Sequence, residues 1–162
     1  MKRRILLVDD DLAVLLTLKA VLELHGFEVE TAGSSAEAFA RMESGVYQMV
    51  ISDLRMETEE AGLEVIWRAR RQAYDPATAL LTACPPSGGW PDERDAREDR
   101  DGKGADKRDW SGEHSDSLLI KPLGTRDLLR QVEALLVRHA DVKQLRERNS
   151  TAKARETGRG AG

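Results

Sequence analysis

The chain has 162 residues, of which 40% are hydrophobic and 4% are aromatic, and its formal net charge is −4. This length suits one domain with a mainly aliphatic core, and the charge gives no general attraction to nucleic acid or anionic membranes. No apolar run approaches the roughly 20 residues of a membrane-spanning helix, so no membrane partner is expected. The single cysteine, Cys84, excludes an internal disulfide and favours a reducing, cytoplasmic location.

The first half of the chain alternates short apolar runs with segments of helical periodicity. Four apolar runs predict buried strands, at residues 5–8, 27–32, 47–52 and 77–83. Three intervening segments predict helices, at residues 11–25, 35–45 and 62–72. Asp11 and either Ser34 or Ser35 are suitable N-caps for the first two helices, which Gly26 and Gly45 end. This alternation predicts a parallel sheet with right-handed crossover connections.

The second half is irregular before the same pattern returns. Residues 85–117 consist mainly of Gly, Pro, Asp and Arg with almost no aliphatic side chains. Such a segment cannot bury enough apolar surface to offset its ordering entropy, so we expect a polar, disordered loop. Residues 117–122 then predict a fifth strand, and Thr125 or Asp127 opens a last helix.

Each predicted helix has one apolar face that we expect to pack against the sheet. The residues of these faces are Leu15, Leu18 and Leu22 in the first helix, Phe39 and Met42 in the second, Leu63, Ile66 and Trp67 in the third, and Leu128, Val132, Leu135 and Leu136 in the last. Together the elements form one expected domain, residues 1–140. A basic tail follows at residues 141–162, whose first turns can extend the helix and whose end is expected to be disordered.

Polar side chains follow or close four of the predicted strands. They are Asp9 and Asp10 after the first strand, Asp53 after the third, Thr82 at the end of the fourth and Lys121 at the end of the fifth. In a parallel sheet the carboxyl ends of the strands share one edge, so we expect these groups to converge. Three adjacent carboxylates repel one another unless a divalent cation neutralises them, and hard oxygen ligands suit Mg²⁺. A carboxylate beside such a cation can accept a phosphoryl group.

Four short stretches resemble the signature sequences of two-component response-regulator receiver domains. They are Ile5-Leu-Leu-Val-Asp-Asp10, Val50-Ile-Ser-Asp-Leu-Arg-Met56, Leu80-Leu-Thr-Ala83 and Ile120-Lys-Pro122. The similarity covers residues 4 to about 84 and 117 to 139. It implies an α/β, flavodoxin-like, doubly wound fold with a five-stranded parallel sheet in the order 2-1-3-4-5. It also implies phosphorylation by a sensor histidine kinase or a phosphotransfer protein.

The resemblance assigns roles to individual residues. The phosphoacceptor that it implies is Asp53. The Mg²⁺ ligands that it implies are Asp9, Asp10, Asp53 and the backbone carbonyl of Arg55. The phosphate-binding and switch residues that it implies are Thr82, Ala83 and Lys121, and the family's Lys-Pro bond, a candidate cis peptide, falls at Pro122.

Three features depart from the family pattern. Glu57 stands where the family usually has proline, and one extra residue precedes Gly62. We interpret the added carboxylates as solvated, with tuning of the metal affinity as the alternative. Leu118 occupies the position of the aromatic residue that rotates with the threonine in many members. The polar loop replaces the family's fourth helix, so output is expected to use another surface or the loop itself.

The predicted function is a stand-alone phosphoacceptor receiver that signals through contacts with an unknown downstream protein. It is not predicted to be an enzyme, beyond self-dephosphorylation, and no nucleic-acid partner is predicted. A first alternative keeps the fold without switching, as an adaptor or a phosphate sink. A second is a Mg²⁺-dependent phosphohydrolase that forms an aspartyl-phosphate, because Asp9-Asp10-Asp11 contains the Asp-x-Asp of haloacid-dehalogenase-like enzymes. Ala13 stands where those enzymes usually have Thr or Val.

Overall fold

The computed structural model describes residues 2–83, 117–120 and 124–158. Within these ranges the elements are, in chain order, β1 Arg4–Val8, α1 Leu12–Leu24, β2 Glu28–Ala32, α2 Ser35–Ser44, β3 Met49–Asp53, α3 Ala61–Arg70, β4 Ala77–Thr82, β5 Ser117–Ile120 and α4 Thr125–Gly158. All strand pairs are parallel, and the strand order is β2-β1-β3-β4-β5. The predicted α/β fold with a parallel sheet is confirmed.

The central strands are buried because helices cover both faces of the sheet. Every residue of β3 and β4 is buried, as expected for parallel strands between two helical layers. One apolar cluster joins the sheet to α1 and α4, and a second joins it to α2 and α3. The faces predicted for the first and last helices are confirmed: Leu15 and Leu22 are buried, as are Leu128, Val132, Leu135 and Leu136, with Leu18 packed beside them.

Side-chain caps fix where the first two helices begin. The Asp11 carboxylate accepts the backbone N–H groups of Ala13 and Val14 at the start of α1. Ser34, and not Ser35, is the N-cap of α2, and its hydroxyl accepts the N–H of Glu37. Both contacts satisfy donors that have no partner inside the helix. The turn from β1 into α1 is therefore short and leaves Asp9 and Asp10 at the edge of the sheet.

The third helix buries Ile66 as predicted, but Leu63 is only partly buried and Trp67 is exposed. Trp67 is 51% exposed, and the guanidinium of Arg71 lies 4.5 Å from the centre of its ring. The buried residues of α3 are Ala61, Gly62, Val65, Ile66 and Ala69. Ala61, Gly62 and Ala69 let the helix lie close to the sheet, and the predicted burial of Trp67 was wrong.

The last helix is longer than predicted. α4 continues to Gly158, so it takes in the first turns of residues 141–162, as expected, and also most of the rest of that segment. The reason is local: Arg, Lys, Ala and Glu, which all favour helix, make up half of residues 141–158, and no glycine or proline occurs in this segment before Gly158. Residues 159–162 lie outside the described part of the chain.

Contacts with the turn between α3 and β4 hold α4 against the domain. His139 Nε2 lies 2.9 Å from the carbonyl oxygen of Asp75, and Lys143 Nζ donates to the carbonyl of Tyr74 at 3.1 Å. Asp75 has a φ of 46°, in the left-handed region that aspartate tolerates better than most residues. The turn thus presents two consecutive carbonyls to one face of the helix.

Several predictions concern residues that the structure does not describe. The polar loop predicted at residues 85–117, and with it the replacement of the family's fourth helix, lies outside the described residues except for Ser117, which begins β5. Cys84 lies outside them as well. Among the helices that are described, none has the length and apolarity needed to cross a membrane.

A buried tyrosine pairs with a carboxylate of β2. Tyr47 Oη donates to Glu30 Oε2 at 2.6 Å, and Arg4 and Arg41 contact the same carboxylate. The Tyr47 hydrogen bond, with the two arginines, lowers the pKa of Glu30 from its ordinary 4.5, against the opposing effect of burial. A lowered carboxyl pKa stabilises the folded state above the unfolded-state pKa, and that stability is lost as pH falls through the folded-state pKa.

We expect Tyr47→Phe to lower the free energy of unfolding at pH 7 by about 1–2 kcal/mol, because Glu30 loses the hydrogen bond that does most to lower its pKa. The fall in stability below about pH 4.5 should become shallower, because the folded and unfolded pKa values of Glu30 move closer together. Urea unfolding at several pH values measures both effects. Tyr74→Phe is the control, since Tyr74 donates to the carbonyl of Met42 and not to a carboxylate. An unchanged acid dependence in Tyr47→Phe would contradict this account.

Candidate functional site

Three carboxylates meet where the central strands end. Asp9 directly follows β1, and Asp53 is the last residue of β3. Their side chains are buried, at 2% and 8% exposure, while Asp10 is exposed. One carboxylate oxygen from each of the three lies within 4.8 Å of the others. The structure therefore brings Asp9, Asp10 and Asp53 together at the edge of the sheet where the sequence predicted that they would converge.

Backbone and side-chain hydrogen bonds hold Asp9 in place. Its N–H donates to the carbonyl of Ala32 at 3.1 Å, which continues the pairing of β1 with β2 by one residue. Its Oδ1 accepts the N–H of Asp11 at 2.9 Å. Because Asp11 caps α1, the orientation of the Asp9 carboxylate is tied to the start of that helix.

The main chain around Asp53 is packed tightly against α3. Leu54 N–H donates to the Leu81 carbonyl at 2.9 Å, and the Leu54 carbonyl accepts Gly62 N–H at 3.2 Å. A Cβ atom added to Gly62 would lie 1.8 Å from the carbonyl oxygen of Asp53. Only glycine permits this approach of α3 to the end of β3. In the sequence, Gly62 stands out only as a position displaced by one residue from the family pattern, and nothing there indicates this role.

Glu57 is exposed, as expected of a solvated carboxylate, but it also has a specific partner in Ser35. Its Oε1 accepts the backbone N–H of Ser35 at 2.6 Å and the Ser35 hydroxyl at 2.7 Å. Partial burial opposes ionisation of Glu57, but hydrogen bonds from its own N–H and from Ser35 outweigh this effect and lower its pKa. The departure from the family's proline thus creates a contact between the segment after β3 and the start of α2.

The remaining predicted site residues fall into two groups. Thr82 is buried at the end of β4, Ala83 follows it and is exposed, and Arg55 is exposed in the segment between β3 and α3. Lys121 and Pro122 lie outside the described residues. Leu118, at the position of the family's aromatic residue, pairs with Leu80 in the register of β5 with β4.

The carboxylate cluster has the chemistry of a hard-cation site. Oxygen ligands from a few carboxylates, completed by a carbonyl and waters, are what Mg²⁺ takes in proteins. Two of these carboxylates are largely buried, so their mutual repulsion favours binding of a divalent cation between them. The residues present therefore fit a magnesium ion.

Comparison with known proteins gives one consistent family. The chain matches the response regulator receiver domain model over residues 5–85. It is 41% identical over 80 residues to the alginate biosynthesis transcriptional regulatory protein AlgB of Pseudomonas syringae, covering 49% of this chain and 18% of that protein. It is 30% identical over 137 residues to the transcriptional regulatory protein CpxR homolog of Haemophilus influenzae, covering 85% and 52%. A solved structure of response regulator protein TrrA from Thermotoga maritima, in complex with Mg(2+)-BeF, is 30% identical with a TM-score of 0.61, covering 82% and 98%.

The chain covers only part of the two transcriptional regulators that it matches. The chain spans about half of the CpxR homolog and less than a fifth of AlgB, so the regulatory activities of those whole proteins are not assigned to it. The family match at residues 5–85 includes β1 to β4, and with them the three clustered carboxylates and Thr82. The resemblance noted in the sequence is confirmed, and the chain belongs to the response-regulator receiver domain family of two-component systems.

Proposed function

We propose that the chain accepts a phosphoryl group on Asp53 in a Mg²⁺-dependent reaction and signals through protein–protein contacts. The observation that carries this proposal is the cluster of Asp9, Asp10 and Asp53 oxygens within 4.8 Å at the carboxyl edge of the sheet. Asp9 Oδ1 already accepts the Asp11 N–H, which suits a fixed metal ligand better than a nucleophile. Asp53 closes the central strand β3, beside the end of β4 where Thr82 lies.

Four groups would hold the magnesium ion: the carboxylates of Asp9, Asp10 and Asp53, and the backbone carbonyl of Arg55. When bound, the cation offsets the charge of the carboxylates and of the incoming phosphoryl oxygens. TrrA, a 30% identical relative, was solved with Mg(2+)-BeF, which supports the same cation here.

The remaining chemistry falls to side chains at the strand ends. A carboxylate oxygen of Asp53 forms the new bond to phosphorus, while the bond from phosphorus to the donor's imidazole nitrogen breaks. The Thr82 hydroxyl and the Ala83 N–H donate hydrogen bonds to the phosphoryl oxygens, and Lys121 contributes a positive charge. Later hydrolysis of the aspartyl-phosphate returns Asp53 to its carboxylate form.

The proposed partners follow from this chemistry. The phosphoryl donor is a sensor histidine kinase or a phosphotransfer protein, and the phosphorylated form binds a downstream protein. The chain is then a substrate of a kinase and not an enzyme in its own right. A cytoplasmic location, expected from the single cysteine, stays a prediction.

In the first experiment, the purified chain is incubated with acetyl phosphate, and its intact mass is then measured by mass spectrometry. We expect a phosphoryl adduct that requires Mg²⁺, disappears in Asp53→Asn and is unchanged in Asp141→Asn, a matched loss of charge on exposed α4. Peptide mapping should place the phosphoryl group on Asp53.

Other outcomes separate the alternatives. A phosphoryl group on Asp9 would replace this proposal with an aspartyl-phosphate phosphohydrolase. An adduct that forms equally in Asp53→Asn, or no adduct at all, would leave a receiver-shaped adaptor. If Asp53 is phosphorylated but the phosphorylated and unphosphorylated chains bind a kinase or target with the same affinity, the chain would be a phosphate sink.

A further inference from the structure

The segment from Leu54 to Glu60 connects β3 to α3, and we call it the β3–α3 loop. It contains Arg55, whose carbonyl belongs to the proposed metal site, and Glu57, which stands where the family has proline. We infer that Glu57 is a positioning residue: by binding Ser35 at the start of α2, it anchors the β3–α3 loop and so keeps the Arg55 carbonyl available to Mg²⁺. The inference rests on the Mg²⁺ site proposed above.

The contact with α2 uses a backbone donor that the helix cannot satisfy. Ser35 is the first residue of α2, so its N–H has no carbonyl partner one turn earlier. The N-cap hydroxyl of Ser34 is engaged with Glu37, and the Ser35 N–H bonds to Glu57 Oε1 at 2.6 Å. The Ser35 hydroxyl adds a second donor to the same oxygen at 2.7 Å. A charged acceptor at a helix N-terminus is also favoured by the helix dipole.

The other end of the β3–α3 loop is fixed by the main chain. Leu54 donates to Leu81 and accepts from Gly62, so it is held between β4 and α3. Arg55 and Met56 are the two residues between this fixed point and the anchored Glu57. Met56 packs against the apolar cluster beneath α2 and α3, and its N–H donates to the Thr58 carbonyl at 3.2 Å. Arg55 is therefore the residue whose backbone depends on both anchors.

Loss of one anchor has a predictable consequence for the metal. Without Glu57, the backbone around Arg55 samples more conformations, and binding must pay the entropy of ordering it. Residues that orient metal ligands without touching the ion commonly change metal affinity by tenfold or more. Because linkage is reciprocal, Mg²⁺ binding should in turn strengthen the Glu57–Ser35 contact.

The first test needs no metal. Amide hydrogen exchange is measured by NMR on the full chain for the wild type, Glu57→Ala, Glu57→Gln and Glu59→Ala. We expect the Ser35 amide to exchange at least about tenfold faster in Glu57→Ala. Glutamine keeps an acceptor oxygen and should restore most of the protection. Glu59 lies in the same loop with no hydrogen bond or ion pair to the described residues, so Glu59→Ala removes an equal charge without removing an anchor.

The second test measures Mg²⁺ affinity of the same four proteins by isothermal titration calorimetry. The dissociation constant should rise about tenfold in Glu57→Ala, stay close to the wild type in Glu57→Gln, and change less than about threefold in Glu59→Ala. In the wild type, saturating Mg²⁺ should slow exchange of the Ser35 amide further, and this slowing should vanish in Glu57→Ala.

The possible results separate the positioning role of Glu57, its contact with Ser35 and the Mg²⁺ site itself. Equal weakening of Mg²⁺ binding in Glu57→Ala and Glu59→Ala would show a charge effect and overturn the positioning role. An unchanged Ser35 exchange rate in Glu57→Ala would overturn the contact itself. In both cases a wild-type chain that still binds Mg²⁺ leaves the proposed function standing. A wild-type chain that binds no Mg²⁺ would overturn the proposed metal site and this inference with it.

Discussion

The Gly62→Ala variant is expected to lose about 3 kcal/mol or more of unfolding free energy and most of its Mg²⁺-dependent phosphorylation. The added Cβ would lie 1.8 Å from the Asp53 carbonyl oxygen and 2.7 Å from its carbonyl carbon. Both are main-chain atoms of a central strand, so no side-chain rotation can relieve the overlap. Either α3 moves away from the sheet, which opens the packing of Val65 and Ile66, or the end of β3 shifts and displaces the Asp53 carboxylate.

Urea unfolding and the acetyl phosphate assay measure the two losses for Gly62→Ala. Gly33→Ala is a matched control, because a Cβ there meets only Glu37 Oε2, at 3.7 Å, and its stability should change by less than about 0.5 kcal/mol. A Gly62→Ala protein that is as stable and as readily phosphorylated as Gly33→Ala would show that the close approach of α3 to β3 is not required.

The part of the site that the sequence predicts best is the part that depends on strand ends. Asp9 and Asp53 each follow a run of apolar residues, and parallel strands necessarily bring their carboxyl ends to one edge. A local pattern and one topological rule are then enough to place two side chains that are 44 positions apart. The Asp11 cap is predictable for the same reason, because the N-cap preference is a property of adjacent residues.

What the sequence does not predict depends on how close two elements pack. The buried face of α3 includes Ala61, Gly62 and Ala69, whose small size lets the helix approach β3 closely, and no periodicity of large side chains predicts that distance. Glu57 and Ser35 are 22 positions apart, and their contact depends on the path of an irregular segment. An exposed glutamate in a loop gives no sign of its partner before the fold is known.

The Asp9→Asn variant is expected to be more stable than the wild type without Mg²⁺ and to gain little stability when Mg²⁺ is added. Asp9 is 2% exposed and lies beside the carboxylates of Asp10 and Asp53. Removal of its charge relieves repulsion that water screens poorly at this depth, with an expected gain on the order of 1–2 kcal/mol. The asparagine carbonyl oxygen can still accept the Asp11 N–H, so the turn into α1 is preserved.

The wild type, unlike Asp9→Asn, should be strongly stabilised by Mg²⁺. In urea unfolding, its free energy of unfolding should rise by roughly 2.7 kcal/mol when Mg²⁺ is at a hundredfold excess over its dissociation constant. Asp11→Asn is the control: it removes a charge two residues away, keeps an N-cap acceptor, and leaves the three clustered carboxylates intact. It should respond to Mg²⁺ as the wild type does. If Asp9→Asn were less stable than the wild type in EDTA, then repulsion among the three carboxylates would not be what the cation relieves. If Asp9→Asn kept the full stabilisation by Mg²⁺, then Asp9 would not be one of the metal ligands.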